Sequence, residues 1–187
     1  MRLHNITTGT ATKTVGAAAD STINVNYPTT NYGTEYFLYT GAGDMARSVV
    51  RFDTSRIAPM YPVASAKARF YVTGFGSTGA PHSLKAYGLN TNFAESTVTW
   101  VTPWTTPGGD FGATALASAP ISMDLVGTWV EFDVTNLAKH WVWHPWMNQG
   151  LALRALDGVA YSWFSLASRN YWDATKRPEL IVTYRVP

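Results

Sequence analysis

Aromatic side chains in loop-like segments are the residues of this sequence best suited to chemistry at a surface. A sugar ring stacks on a flat aromatic face, and a neighbouring polar group then fixes its orientation. Several aromatic residues stand beside prolines, glycines or an arginine, outside any regular pattern. The alternative is that these rings close the open ends of a β-sandwich as part of its core. The predicted glycan-binding residues are Trp104, Trp143, Trp146, Arg169, Tyr171 and Trp172.

Paired carboxylates are the next candidates, because glycoside hydrolysis uses one carboxyl group as acid and a second as base or nucleophile. Glu131 and Asp133 stand at i and i+2 of a predicted strand and therefore on one face. Asp133 is better explained as the cap of the helix that follows, and Glu131 as an outward strand residue. The sequence has no Gly-x-Ser-x-Gly elbow, Walker loop or Rossmann glycine fingerprint. We therefore predict no catalytic residue and no enzyme.

Metal-ligating residues are sparse. His140 and His144 stand at i and i+4, which would suit two ligands on one helical face, but a proline directly after His144 disfavours helical geometry there. The chain has no cysteine. The prediction is therefore no metal and no cofactor, with a structural calcium ion as the open alternative. The carboxylates that could bind calcium are Asp20, Asp53 and Asp173.

The charge and hydropathy of the sequence argue against two classes of partner, nucleic acids and membranes. The 187 residues include 14 Lys and Arg against 12 Asp and Glu, a net charge of +2, with no run of basic residues. A nucleic-acid partner is therefore not expected. No stretch approaches the ~20 apolar residues of a membrane span, so a membrane partner is not expected either. No apolar secretory segment follows Met1.

The elements that must position these residues are mainly strands. Short β-prone runs bounded by turn residues recur at a spacing of roughly 8–12 residues, and two of them, 34–40 and 46–52, are predicted to form a hairpin. An apolar stripe from Val134 to Trp141 predicts one short helix that Pro145 ends. Trp100, Trp129 and Trp141 follow the regular patterns and are predicted core residues. The other predicted strands are 66–73, 83–89, 97–101, 128–134, 151–156, 162–167 and 180–186.

This pattern predicts an all-β fold, a two-sheet antiparallel β-sandwich of jelly-roll type with one short helix. Neither an internal repeat nor a linker divides the chain. We therefore predict a single domain over residues 10–187, preceded by an N-terminal arm over residues 1–9.

Ordered blocks of sequence carry a family resemblance. They are Asp20-Ser21-Thr22-Ile23 with Asn31-Tyr32-Gly33, then residues 47–53 and 94–100, then 129–135 with 150–154 and 177–184. Together they resemble the DNRLRE-domain family, which overlaps a family of alginate-type carbohydrate-binding modules, and they cover nearly all of the chain from about Thr10. The chain departs from the family pattern where Asn170 follows Ser168-Arg169 and relatives usually have Glu. No carbohydrate specificity is therefore carried over.

The resemblance implies a jelly-roll sandwich that acts by binding. Such modules occur in polysaccharide-degrading enzymes, in archaeal and bacterial surface proteins and in phage head and tail proteins. Because the chain starts at its own Met, we expect a virion structural component, a capsid-decoration or minor tail protein, with glycan-binding capacity. The alternatives are a carbohydrate-binding module excised from a secreted polysaccharide-degrading enzyme and, third, a polysaccharide lyase or hydrolase. The expected partners are a polysaccharide, neighbouring virion proteins or a second copy, at a virion surface or outside the cell.

Overall fold

Every strand pairing in the described part of the chain is antiparallel. The computed structural model describes residues 9–57, 61–76, 82–155 and 162–186, which form ten β-strands and one α-helix. The helix is α1 (Thr135–Trp143). The strands are β1 (Gly9–Asn24), β2 (Phe37–Gly41), β3 (Ala46–Phe52), β4 (Val63–Gly76), β5 (His82–Gly88), β6 (Ala117–Ile121), β7 (Trp129–Asp133), β8 (Leu151–Ala155), β9 (Trp163–Ala167) and β10 (Glu179–Val186).

Two long strands, β1 and β4, are each shared between different partner strands along their length. Neighbours follow the order β2-β9-β4-β10-β1-β3-β8-β5-β6, and β7 also pairs with β4. The first half of β1 pairs with β10 and the second half with β3, with a shift of register between Ala17 and Ala19. β4 is shared in the same way, because its residues 63–69 pair with β10 and its residues 72–76 pair with β9. The predicted antiparallel β-sandwich with one short helix is confirmed.

The main core lies between the layers and follows the alternation of the strands. Along β4, Phe70 and Val72 are buried while Lys67 is exposed. The ring of Phe70 packs 6.2 Å from that of Phe52 on β3 and 6.1 Å from that of Phe132 on β7. Each such ring contributes roughly 1.5–3 kcal/mol through burial. None of the helices in the described part of the chain is long and apolar enough to cross a membrane.

A second core covers the outer face of the layer that contains β3 and β8. Val49 of β3 points outward there and is buried with Trp100 and Trp104, which come from the long connection between β5 and β6. The guanidinium of Arg47 lies 4.5 Å from the Trp100 ring. The connection therefore acts as a lid of side chains over this face. Trp100 and Trp141 are buried as predicted, whereas Trp129 is only half-buried.

Two parts of the predicted strand order are wrong. Residues 34–40 and 46–52 do not form a hairpin, since β2 pairs with β9 and β3 lies between β1 and β8. The turn after β2 instead carries the chain to the other layer, where a buried hydrogen bond of 2.8 Å links the hydroxyls of Thr40 and Ser48. Residues 97–101 form no strand, because they belong to the connection that covers the second core.

The predicted arm lies outside the described residues except for Gly9, which opens β1. The helix begins at Thr135, whose backbone N–H donates to Asp133 Oδ1 at 2.9 Å, while Val134 occupies the N-cap position. α1 ends at Trp143, two residues before Pro145, as the sequence predicts.

Candidate functional site

The outer face of β2 and β9 is aromatic. Leu38 points inward from β2 and is buried, so Phe37 and Tyr39 on either side of it point away from the core. On β9, Trp163 points outward in the same way, and Ser165 lies directly opposite Tyr39. These residues lie side by side because the two short strands pair in register over their whole length.

Glycines of the neighbouring strand fix the position of Trp163. Gly74 and Gly76 of β4 pair with Ser165 and Trp163 of β9. The Trp163 indole lies so close to Gly76 that a Cβ added there would overlap the ring, and a Cβ on Gly74 would lie 2.7 Å from Ser165 Oγ. Neither glycine has a positive φ, so their role here is close approach and not unusual backbone geometry. The indole therefore lies against bare backbone.

Four rings form a continuous row across this face, which we call the aromatic row: Trp163, Tyr39, Phe37 and Trp172. Successive centroids are 6.0, 6.3 and 5.7 Å apart, and successive ring planes meet at 65°, 54° and 83°. Trp163 is 44% exposed, Tyr39 40% and Trp172 64%. The rings are not coplanar, so the row presents separate ring surfaces to solvent and not one flat platform.

Trp172 is held in place by other rings. Its indole stacks on Tyr171, with centroids 3.9 Å apart and planes inclined by 30°, and Tyr171 itself is buried. Tyr36 and Phe37 stand nearly perpendicular to the same indole, at 6.0 and 5.7 Å. An exposed tryptophan fixed by three rings loses little side-chain entropy when a ligand binds to it.

A groove with a volume of about 450 Å³ opens beside the other end of the row, and we call it the polar groove. Asn24 Oδ1 accepts the backbone N–H of Asn26 at 2.9 Å, while Asn24 Nδ2 and the Asn26 side-chain amide bond to no other described residue. Amides of this kind can donate to and accept from ligand hydroxyls. The residues that line the groove are Asn24, Asn26, Tyr39, Gly41, Met45, Ala46, Ser162 and Trp163.

A partly buried polar network holds the loop that carries Trp172. Arg169 N donates to Asp20 Oδ2 at 2.6 Å, Asp20 N donates to Glu95 Oε1 at 3.0 Å, and Arg169 Nη1 donates to Glu95 Oε2. Burial raises the pKa of Asp20 to about 7, and the nearby Glu95 carboxylate acts in the same direction. The Arg169 N–H and the guanidinium groups of Arg169 and Arg177 oppose this rise in pKa.

The predicted glycan-binding residues separate into different roles. Trp172 belongs to the aromatic row, Tyr171 lies beneath it, and Arg169 is bound to Glu95. Trp104 was predicted as an exposed platform, and this is wrong. It is 6% exposed in the second core, and its indole N–H donates to Thr99 O at 2.8 Å, so no face is open to a ligand.

Trp143 and Trp146 form a separate exposed surface at the end of α1. They are 58% and 74% exposed, but no ring contact joins them to each other or to the aromatic row within the described residues. Among the described residues, the ring beside Trp146 is that of His144, at 5.1 Å. These two side chains therefore lack the mutual support that the four rings of the row give one another.

Acidic residues considered for catalysis or metal binding are engaged elsewhere. Glu131 Oε2 accepts from Lys67 Nζ at 2.8 Å, and Asp133 accepts from Thr135. Among the described residues, no cluster of three or more His, Asp or Glu could hold a metal ion. Asp53 and Asp173 each accept from the backbone N–H two residues ahead, at 3.1 and 3.0 Å. In both places the carboxylate closes a local turn.

Sequence reasoning missed Tyr36, Phe37, Tyr39 and Trp163. The signal that could have identified the middle pair is the run Phe37-Leu38-Tyr39, in which both faces of a strand are apolar. Such a run indicates either a strand buried on both sides or one with an uncovered apolar face.

Comparison with known families bears on this surface. The model of carbohydrate-binding module family 96 matches residues 11–184. The chain belongs to this family. The match spans almost the whole sandwich, including β2 and β9, and it makes the chain a carbohydrate-binding module. The DNRLRE and alginate-type parts of the resemblance and a phage origin stay predictions. A search of curated proteins found no match to the chain.

Proposed function

We propose that the module binds a polysaccharide across the aromatic row, with the polar groove orienting one sugar. The observation that carries this proposal is a row of four touching rings, three of them 40% or more exposed, beside side-chain amides that bond to no other described residue. Carbohydrate rings stack on aromatic faces, and polar groups at the edge then select orientation. Centroid spacings of 5.7–6.3 Å are comparable to the length of one hexose unit, so neighbouring rings can contact neighbouring sugars.

Binding is proposed as the whole activity. The carboxylates nearest to a hydrolytic pair, Glu131 and Asp133, are occupied by Lys67 and Thr135 and lie on β7 and not beside the aromatic row. The virion role, a second copy as partner and a location outside the cell stay predictions. The same surface would serve on a virion or beside a polysaccharide-degrading enzyme.

Single tryptophan variants test the proposal. Once a glycan array has identified a ligand, Trp163→Ala and Trp172→Ala should each weaken binding by about 2 kcal/mol, or about 30-fold in Kd, by titration calorimetry. The matched control is Trp143→Ala, which removes an indole of similar exposure outside the row and should leave Kd unchanged. Loss of binding in Trp143→Ala alone would move the site to the end of α1 and refute the proposal.

A further inference from the structure

Glu95 belongs to the long β5–β6 connection, within the part that covers the second core. Phe93 and Val98, which flank it in sequence, are both buried in that core. Val98 N donates to Ala94 O at 2.9 Å, so a tight turn holds the residues between the two buried side chains. The Glu95 side chain itself is 21% exposed. Its carboxylate therefore has a fixed position at the edge of the second core.

The backbone of Glu95 supports the segment that leads into β2. Asn31 Nδ2 donates to Glu95 O at 2.8 Å, and Asn31 Oδ1 accepts the Gly33 N–H at 3.2 Å. Gly33 approaches so closely that a Cβ added there would overlap the Glu95 carbonyl oxygen. Three residues later the chain reaches Tyr36, whose ring contacts Trp172. Glu95 thus fixes one of the two segments that meet at this end of the aromatic row.

The carboxylate of Glu95 supports the other segment, the loop that carries Trp172. Arg169 Nη1 donates to Glu95 Oε2, a charge-assisted hydrogen bond, and Glu95 Oε1 accepts the Asp20 N–H at 3.0 Å. Asp20 Oδ2 in turn accepts the Arg169 N–H at 2.6 Å. Asn170 Nδ2 donates to a backbone carbonyl of the segment before β2 at 2.9 Å. The loop is therefore bound both to Glu95 and to the segment that Glu95 supports.

We infer that Glu95 is the positioning residue for the Trp172 end of the aromatic row. It acts through Arg169 and through the backbone, and it brings together two exposed rings, Tyr36 and Trp172, whose centroids are 6.0 Å apart. The relevance of this role to binding rests on the proposed function of the row. A ligand that needs both segments in place binds only the fraction of molecules that has them so, and the apparent Kd rises as that fraction falls.

The position of Trp172 can be measured without a ligand, from the indole N–H resonances of the full chain in a proton–nitrogen correlation spectrum. Trp172→Phe and Trp163→Phe each remove one resonance and so assign the two ends of the row. Glu95→Gln keeps the size of the side chain but loses its charge. In this variant the Trp172 resonance should shift or broaden, while that of Trp163 stays in place. An unchanged Trp172 resonance would overturn the inference.

Binding is measured on the same proteins by titration calorimetry against short oligosaccharides of alginate, xylan and mixed-linkage glucan. For the probe that binds most tightly, Glu95→Gln and Arg169→Gln should each raise Kd about tenfold, as when the loop is in place in about one molecule in ten. The double variant should be within about twofold of either single one, because both break the same contact. The control is Glu131→Gln, which removes the carboxylate bound to Lys67 on β7 and should keep the wild-type Kd.

The two measurements separate failure of this inference from failure of the proposed function. If Arg169→Gln weakens binding and Glu95→Gln does not, Arg169 contacts the ligand itself, and the inference fails while the proposed function stands. If Glu95→Gln displaces the Trp172 resonance but no probe binds the wild type, Glu95 still positions the loop and the proposed function fails. If Glu95→Gln does not fold, Arg169→Gln breaks the same contact from the loop side, and an unchanged Trp172 resonance there would overturn the inference.

Discussion

Burial of the Asp20 carboxyl should make the free energy of unfolding fall as the pH rises towards neutrality. Its side chain is 1% exposed, and Oδ2 accepts the Arg169 N–H that begins the loop leading to Trp172. Burial raises the pKa of Asp20 from its ordinary value of 3.8 to about 7, with the Glu95 carboxylate adding to the rise. Between these two values the folded protein holds a proton that the unfolded chain has released.

The direction and size of the effect follow from proton linkage. A raised folded pKa means that the stability contributed by protonated Asp20 is complete below about pH 4 and is lost as the pH rises through about 7. Each pKa unit corresponds to about 1.4 kcal/mol, which sets an upper limit of about 4 kcal/mol. Below about pH 4 stability should fall again, because hydrogen bonds hold the pKa of aspartates such as Asp133 below the usual value.

Asp20→Asn isolates this effect, since the amide oxygen can still accept the Arg169 N–H but cannot ionise. Guanidinium unfolding at pH 5, 6, 7 and 8, roughly spanning the titration, should show the free energy of unfolding of the wild type falling by a few kcal/mol and that of Asp20→Asn staying nearly constant. Asp133→Asn is the control, and it should keep the wild-type slope in this range. A parallel decline in wild type and Asp20→Asn would refute the reasoning.

Three further substitutions test the architecture around the site. Gly76→Ala should displace the Trp163 indole and weaken glycan binding about tenfold while the free energy of unfolding changes by less than about 1 kcal/mol, measured by calorimetry and denaturation together. Trp104→Ala should destabilise the protein by about 3–5 kcal/mol in guanidinium, yet its folded fraction should bind glycan as the wild type does. Asn31→Ala removes two side-chain hydrogen bonds to loop carbonyls, one of them that of Glu95, and should lower the free energy of unfolding by about 1–3 kcal/mol in urea.

Local sequence patterns located most of the elements but not their partners. Clean alternation of apolar and polar residues identified β7, and Pro145 located the end of α1, because both signals depend on neighbours in sequence. The first half of β1 gave no such signal, since residues 9–14 are exposed in succession and show no buried face. The β2–β3 hairpin was wrong for a related reason. A turn between two strands does not determine whether they pair or continue in different layers.

Of the residues in the candidate site, only those in loops could be predicted from the sequence. Trp172 stands in a polar segment, and its exposure could be expected from its neighbours. Tyr39 and Trp163 stand in strands, where exposure depends on what covers the sheet, and that covering segment is distant in sequence. The prediction for Trp104 failed for the same reason. Its Pro/Gly-rich loop packs over β3 and β8, and the indole is therefore buried in the second core.

The two outer faces of the sandwich differ in whether another segment covers them, and this difference supports the aromatic row as the binding site. Both faces are rich in large apolar side chains, but the long β5–β6 connection buries one of them as the second core. On the face of β2 and β9, Tyr39 and Trp163 stay 40% and 44% exposed, and Trp172 in the adjoining loop is 64% exposed. β4 contributes Gly74 and Gly76 to that face, and interior glycines weaken a strand without adding to the core. Gly74 and Gly76 are explained if they serve to position Trp163, because a larger side chain at Gly76 would overlap the indole.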